Sequence, residues 1–140
     1  MRLVLDTNIV ISALLWKGSP HDLFAVVRGR RDIALYSSPK LLAELADVLS
    51  RAKLARVVSS STQSPETLMG RYVSLVGIVV PVSVPPVVAA DPDDDHVLAC
   101  ALAAQADLIV SGDSHLLRLG EYQSIPIVTA AQALTRLPQR

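Results

Sequence analysis

Leu108-Ile109-Val110-Ser111-Gly112-Asp113 is an apolar run of strand length that passes into a hydroxyl, a permissive turn residue and a carboxylate. Near the N-terminus, Leu3-Val4-Leu5-Asp6 makes the same transition. Short continuous apolar runs bounded by turn chemistry read as buried strands, and an aspartate ending such a strand must be hydrogen-bonded, paired or metal-bound. Each run leads into a helical pattern, Ile9 to Trp16 after the first and Ser114 to Leu119 after the second. Repeated strand-to-helix alternation favours an α/β fold with a parallel sheet covered by helices on both faces. In such sheets the strand C-termini and helix N-termini share one edge, and ligands bind there.

Outward from these two strands the alternation continues. A second helix is expected from His21 to Arg28, ended by Gly29, and a strand over Ile33 to Tyr36. Ser38-Pro39 supplies an N-cap and a first-turn proline for a helix reaching Ser50. After the polar loop Ser59 to Ser64, Ser64-Pro65 opens a helix toward Val76. Strand-like apolar residues follow as far as Val88, where Pro81, Pro85 and Pro86 restrict them to edge or connecting structure. Asp91-Pro92 starts a helix ending near Ala106, Ile125 to Val128 is the last strand, and Thr129 caps a terminal helix through Leu137. No internal repeat or linker breaks the chain, so residues 1–140 read as one domain.

Composition excludes several classes. An apolar fraction of 51% argues against disorder, and an aromatic fraction of 4% requires a core of Val, Leu, Ile and Ala. The single cysteine, Cys100, can form no intrachain disulfide and lies in an Ala- and Leu-rich helix, as a buried inert thiol would. The prolines interrupt the run Leu75 to Ala90 well short of the ~20 residues a membrane helix needs. These features point to a cytoplasmic chain without a membrane span.

The acids are the informative residues. Asp6, Glu44, the cluster Asp91 to Asp95 and Asp113 are distant in sequence, yet Asp6, Asp113 and the cluster fall at strand ends or a helix start. Carboxylates gathered at one edge resist ionising unless cations neutralise them. On a helical wheel Asp95 shares a face with Leu98, Ala99 and Leu102, which turns it toward the sheet edge, whereas Asp93 and Asp94 diverge. Capping and the helix dipole account for an acidic helix start equally well, although four aspartates exceed what a cap requires. Glu44 borders the apolar stripe Leu41, Leu42, Leu45, Val48 and Leu49, from which it would reach a pocket or lie on the surface. Asn8 and Ser12 suit second hydrogen-bonding partners of a metal site, or a helix cap for Asn8. His21, His96 and His115 show no paired ligand spacing, which disfavours zinc and points to hard oxygen ligation of magnesium or manganese.

Thirteen basic and thirteen acidic residues cancel, but seven cations, Arg28, Arg30, Arg31, Lys40, Arg51, Lys53 and Arg56, fall within one 29-residue stretch. A basic surface beside an acidic metal pocket suits a polyanionic substrate. Solvated helix faces give the same pattern.

In order along the chain, Asp6-Thr7-Asn8-Ile9-Val10-Ile11-Ser12-Ala13-Leu14-Leu15, Leu41-Leu42-Ala43-Glu44-Leu45-Ala46-Asp47-Val48-Leu49, Asp91-Pro92-Asp93-Asp94-Asp95 and Leu108-Ile109-Val110-Ser111-Gly112-Asp113 resemble the motifs of the PIN domain, from residue 1 to about residue 134. The nearest branch resembles the toxins of type II toxin-antitoxin systems. The resemblance implies a Rossmann-like three-layer α/β/α sandwich with a mainly parallel central sheet. It also implies a magnesium- or manganese-dependent endoribonuclease, often dimeric and held inactive by a cognate antitoxin. Carried onto this sequence, the acidic quartet is Asp6, Glu44, Asp95 and Asp113, supported by Asn8 and Ser111, while Asp91, Asp93 and Asp94 leave the register of the third station open. Beside the resemblance, Ser12 and Asp94 are further supporting candidates, and Arg51, Lys53 and Arg56 of the basic stretch are expected to contact RNA phosphates. One or two magnesium ions on these carboxylates would activate water for in-line attack, leaving 5′-phosphate and 3′-hydroxyl ends. Ser111 replaces a common threonine and keeps its hydroxyl, while Leu116-Leu117 stand where many relatives carry an aromatic residue.

Other classes fit less well. A phosphotransfer receiver needs a lysine at a late strand end, which Ile125 to Thr129 does not supply. A haloacid-dehalogenase-like phosphatase needs a second aspartate two positions after Asp6, where Asn8 stands. A non-cleaving RNA-binding relative is disfavoured by the intact quartet, and neither Walker-A nor G-x-G-x-x-G spacing occurs.

Overall fold

Leu3, Val4 and Leu5 are almost completely buried, and the strand they form, β1 (Arg2–Leu5), is central in the sheet. The structure, a computed structural model, describes residues 1–51, 64–83 and 93–139. Lys53, Arg56, Asp91, Pro92 and the stretch leading to Val88 lie wholly or partly outside these residues. The other strands are β2 (Ala34–Ser37), β3 (Val76–Ile78), β4 (Leu108–Val110), β5 (Glu121–Tyr122) and β6 (Ile125–Val128). Their order is β3-β2-β1-β4-β6-β5, every pairing parallel except β5 with β6.

Helices α1 (Thr7–Leu15), α2 (Ser19–Arg28), α3 (Pro39–Ser50), α4 (Pro65–Val73), α5 (Asp93–Ala104), α6 (Ser114–Leu119) and α7 (Ala130–Arg136) complete the described elements. Strand alternation sorts the core into two layers. Leu3 and Leu5 face one cluster with residues of α1, α2, α4 and α7, while Val4 and Ile109 face another with α5 and α6. The resulting α/β/α sandwich is the expected architecture. Among the described residues no helix is long and apolar enough to cross a membrane.

The local signals explain most boundaries. Ser38 accepts from the Leu41 amide at 3.3 Å, Ser64 from Thr67 at 3.1 Å, and Thr129 forms a reciprocal capping box with Gln132. Caps of this kind contribute about 1 kcal/mol each. The stretch after α4 forms the edge strand β3, where Gly77 pairs with Tyr36. A Cβ on Gly77 would come within 2.7 Å of the Tyr36 ring, so glycine permits the close approach of these strands.

Two features position the site. The chain leaves β1 toward β2 on one side, whereas β4 lies on the other, so the crevice between the C-terminal ends of β1 and β4 is a topological switch point. Asp6 and Ser111 are the residues that immediately follow these two strands.

Candidate metal centre

Asp6 is the N-cap of α1. Its Oδ1 accepts from the Ile9 amide at 3.0 Å, and the Ser111 hydroxyl donates to Oδ2. The helix therefore begins two residues earlier than the apolar pattern suggests, and Asp6, not Asn8, is its cap. Asp113 repeats the device at α6, accepting from the His115 amide at 2.7 Å and from Leu116 at 3.4 Å, both on Oδ1. Ser111 Oγ also accepts from the Asp113 amide at 2.9 Å. One buried hydroxyl thus connects both strand-end aspartates.

A small cleft opens beside them, with a volume of about 60 Å³, lined by Asp6, Thr7, Asn8, Glu44, Asp94, Val97 and Asp113. Water needs roughly 10–15 Å³ by this measure, so the space suits an ion with a few waters. Among the described residues that line it, four are carboxylates and none is lysine or arginine. Asp6 is 5% exposed and Asp94 8%. Burial raises the Asp6 pKa above its ordinary value; hydrogen bonds from Ser111 and Ile9 pull it back, and the negative charge of Asp113 pushes it up.

The third acidic station differs from the helical-wheel expectation. Asp94 lines the cleft; Asp95 is buried but is not among the lining residues. The wheel weighted the bulky Leu102, yet Leu102 is only half-buried, and α5 packs through Val97, Leu98, Cys100, Ala101 and Ala104. Asp94 precedes Val97, Leu98 and Ala101 by three, four and seven residues, which places it on that packed face. A helix apolar on nearly every side gives a wheel little to discriminate.

The remaining site residues divide. Glu44, half-buried on α3, reaches the cleft, and Asn8 stands exposed at its rim. Ser12 is half-buried on α1 and is not among the lining residues. Arg51 lines a neighbouring depression with Lys40, Ala43, Glu44 and Asp47, and pairs with Asp47 at 3.2 Å. Arg30 is engaged structurally, with Asp32 and the Pro138 carbonyl. Sequence spacing did not bring out His115. Its Nδ1 lies 3.4 Å from Asp113 Oδ1, and ligand atoms of Asp94, Asp113 and His115 all fall within 4.8 Å of one another. The available signal was its position two residues after a strand-end aspartate, in the first turn of a helix.

The sequence profile of the PIN domain matches residues 2–115. The chain belongs to the PIN-domain family. No curated protein matches it in sequence. Among solved structures it is similar to VapBC2 from Rickettsia felis bound to a DNA fragment from their promoter. That match has a TM-score of 0.59 at 16% identity and covers 91% of this chain and 97% of the other, a likeness of fold. The matched region of this PIN domain contains every carboxylate of the cleft.

Proposed function

We propose that this PIN domain is a divalent-metal-dependent endoribonuclease and the toxin of a toxin-antitoxin pair. The observation that carries the reading is the convergence of Asp6, Glu44, Asp94 and Asp113 on one cleft, with no cationic side chain among the described residues of its lining. Such a set of hard oxygen donors fits magnesium or manganese. A divalent ion held there supplies Lewis acidity toward water and a phosphate oxygen.

The protein's own groups hold and orient. Ser111 and the Ile9 amide fix the Asp6 carboxylate, and the His115 and Leu116 amides fix Asp113, so these ligands arrive preorganised. Glu44 and Asp94 close the cleft from α3 and α5. Asn8 at the rim is placed to donate to a phosphate oxygen. Lys40 and Arg51 beside Glu44 would hold the neighbouring backbone, with Lys53 and Arg56 continuing that basic stretch. The toxin assignment draws on the likeness to the VapBC2 complex, and it includes a cognate antitoxin, a homodimer, a cytoplasmic setting and one nuclease domain over residues 1–140.

The test is cleavage of end-labelled RNA with magnesium, with manganese and with chelator, using the wild type and the double variant Asp6→Asn, Asp113→Asn. Asparagine keeps both helix caps, so folding is preserved. Metal-dependent cleavage to 5′-phosphate and 3′-hydroxyl ends, absent in the variant, is expected. Cleavage in chelator, equal cleavage by the variant, or 2′,3′-cyclic phosphate ends would overturn the proposal.

A further inference from the structure

We propose that His115 is a ligand of the metal centre, joining Asp94 and Asp113 in a mixed nitrogen and oxygen donor set that favours a first-row transition ion over magnesium. The inference deepens the nuclease reading and rests on the cleft being a metal site.

The three side chains offer one ligand atom each within 4.8 Å of one another. Donors around a single divalent ion at about 2.0–2.2 Å lie no more than about 4.4 Å apart, so a small side-chain adjustment closes the set. The imidazole is held beside the carboxylates by its own backbone, since the His115 amide bonds Asp113 Oδ1 at 2.7 Å. At 3.4 Å the contact between Nδ1 and that oxygen is longer than a good hydrogen bond. With 43% of its side chain exposed, His115 has room to turn toward Asp94 and Asp113, two of the cleft's carboxylates. Asp113 Oδ1 carries the amide bonds, which leaves Oδ2 for an ion.

Donor chemistry then sets selectivity. Magnesium takes oxygen ligands and retains waters. An imidazole nitrogen suits transition ions, whose affinity for nitrogen donors exceeds that of magnesium. Without His115 the charged donors of the described lining are the carboxylates of Asp6, Glu44, Asp94 and Asp113, all oxygen.

Manganese(II) tests this directly because it is paramagnetic. Electron spin-echo modulation of the wild type with bound manganese should show nitrogen-14 coupling from one imidazole. His115→Ala should remove that coupling and weaken manganese binding roughly tenfold, the scale on which losing even an outer partner weakens a metal site, with magnesium binding little changed. His115→Asp should restore three donors, lack the nitrogen signal and shift the manganese-to-magnesium ratio toward magnesium. Tight manganese binding without nitrogen coupling in the wild type would overturn the inference and leave the carboxylate site standing. Coupling that survives in His115→Ala, or an unchanged metal ratio, would overturn it as well. If the wild type binds no manganese at all, the metal-site reading falls too.

Discussion

The Ser111 hydroxyl donates to the Asp6 carboxylate, joining residues 105 positions apart across the crevice between β4 and β1. The same oxygen accepts from the Asp113 amide, so the strands' parallel pairing is continued beyond their ends by a side-chain relay. The relay places two carboxylates side by side where the fold opens. It also makes one small, fully buried residue responsible for the geometry of both.

Ser111→Ala should therefore destabilise the protein by about 1–3 kcal/mol, the cost of stranding buried partners of a lost hydroxyl. Ser111→Thr keeps the hydroxyl and should recover much of that loss. Urea denaturation midpoints of the three proteins check the ordering, and an alanine variant as stable as the wild type would remove the relay from the account.

A second expectation concerns pH. Burial raises the folded-state pKa of Asp6 above its unfolded value of about 3.9. The folded state then holds the proton more tightly than the unfolded state, so this contribution to stability is complete at pH below the unfolded value and is lost as pH rises through the folded one. Asp6→Asn cannot titrate and keeps the cap. Without metal, the stability of Asp6→Asn relative to wild type should grow as pH is raised from about 4 to 7. Magnesium or manganese should narrow the gap by stabilising only the wild type. Melting temperatures of both proteins against pH measure it; a constant difference would contradict the burial argument.

Much of this architecture was legible because its signals are local. Ser38-Pro39, Ser64-Pro65 and Thr129 announce helix starts chemically, and apolar runs such as Leu3 to Leu5 are too short and too buried to be anything but inner strands. The two-residue β5 was not legible. It forms a hairpin with β6 through Gln123 and Ser124, both at positive φ (48° and 67°), where such turns ordinarily announce themselves with Asn-Gly or Asp-Gly. At the candidate site, Asp6 and Asp113 could be read from strand ends, since each is fixed by its own neighbours. The choice of Asp94 over Asp95 and the place of His115 could not. Their places depend on how α5 and α6 dock on the sheet, which is tertiary packing that a wheel does not contain.

Cys100 provides an independent check on that packing. It is fully buried between α5 and the sheet, and burial pushes its thiol pKa up to about 11, with the Ser38 hydroxyl pulling slightly the other way. The raised pKa suppresses the thiolate that reacts, and burial keeps a reagent from it. The native protein should resist Ellman's reagent at pH 8 and release one equivalent of thionitrobenzoate only on unfolding. Rapid reaction under native conditions would mean that α5 is not seated as described, and the position of Asp94 would fall with it.

The choice between Asp94 and Asp95 is the sharpest test of the candidate centre. Both are buried on consecutive positions of one helix, so burial alone does not separate them. Lining of the cleft does, because only Asp94 shares it with Asp6, Glu44 and Asp113. Asp94→Asn removes a charge from a crowded anionic site, so the metal-free variant should be at least as stable as the wild type and should lose the stabilisation that magnesium or manganese confers. Asp95→Asn should retain that stabilisation. Thermal melts with and without each ion, alongside RNA cleavage rates, compare the two variants directly. Retained metal response in Asp94→Asn together with its loss in Asp95→Asn would return the third ligand to Asp95, and would mean that the N-terminal turn of α5 is rotated from the orientation described.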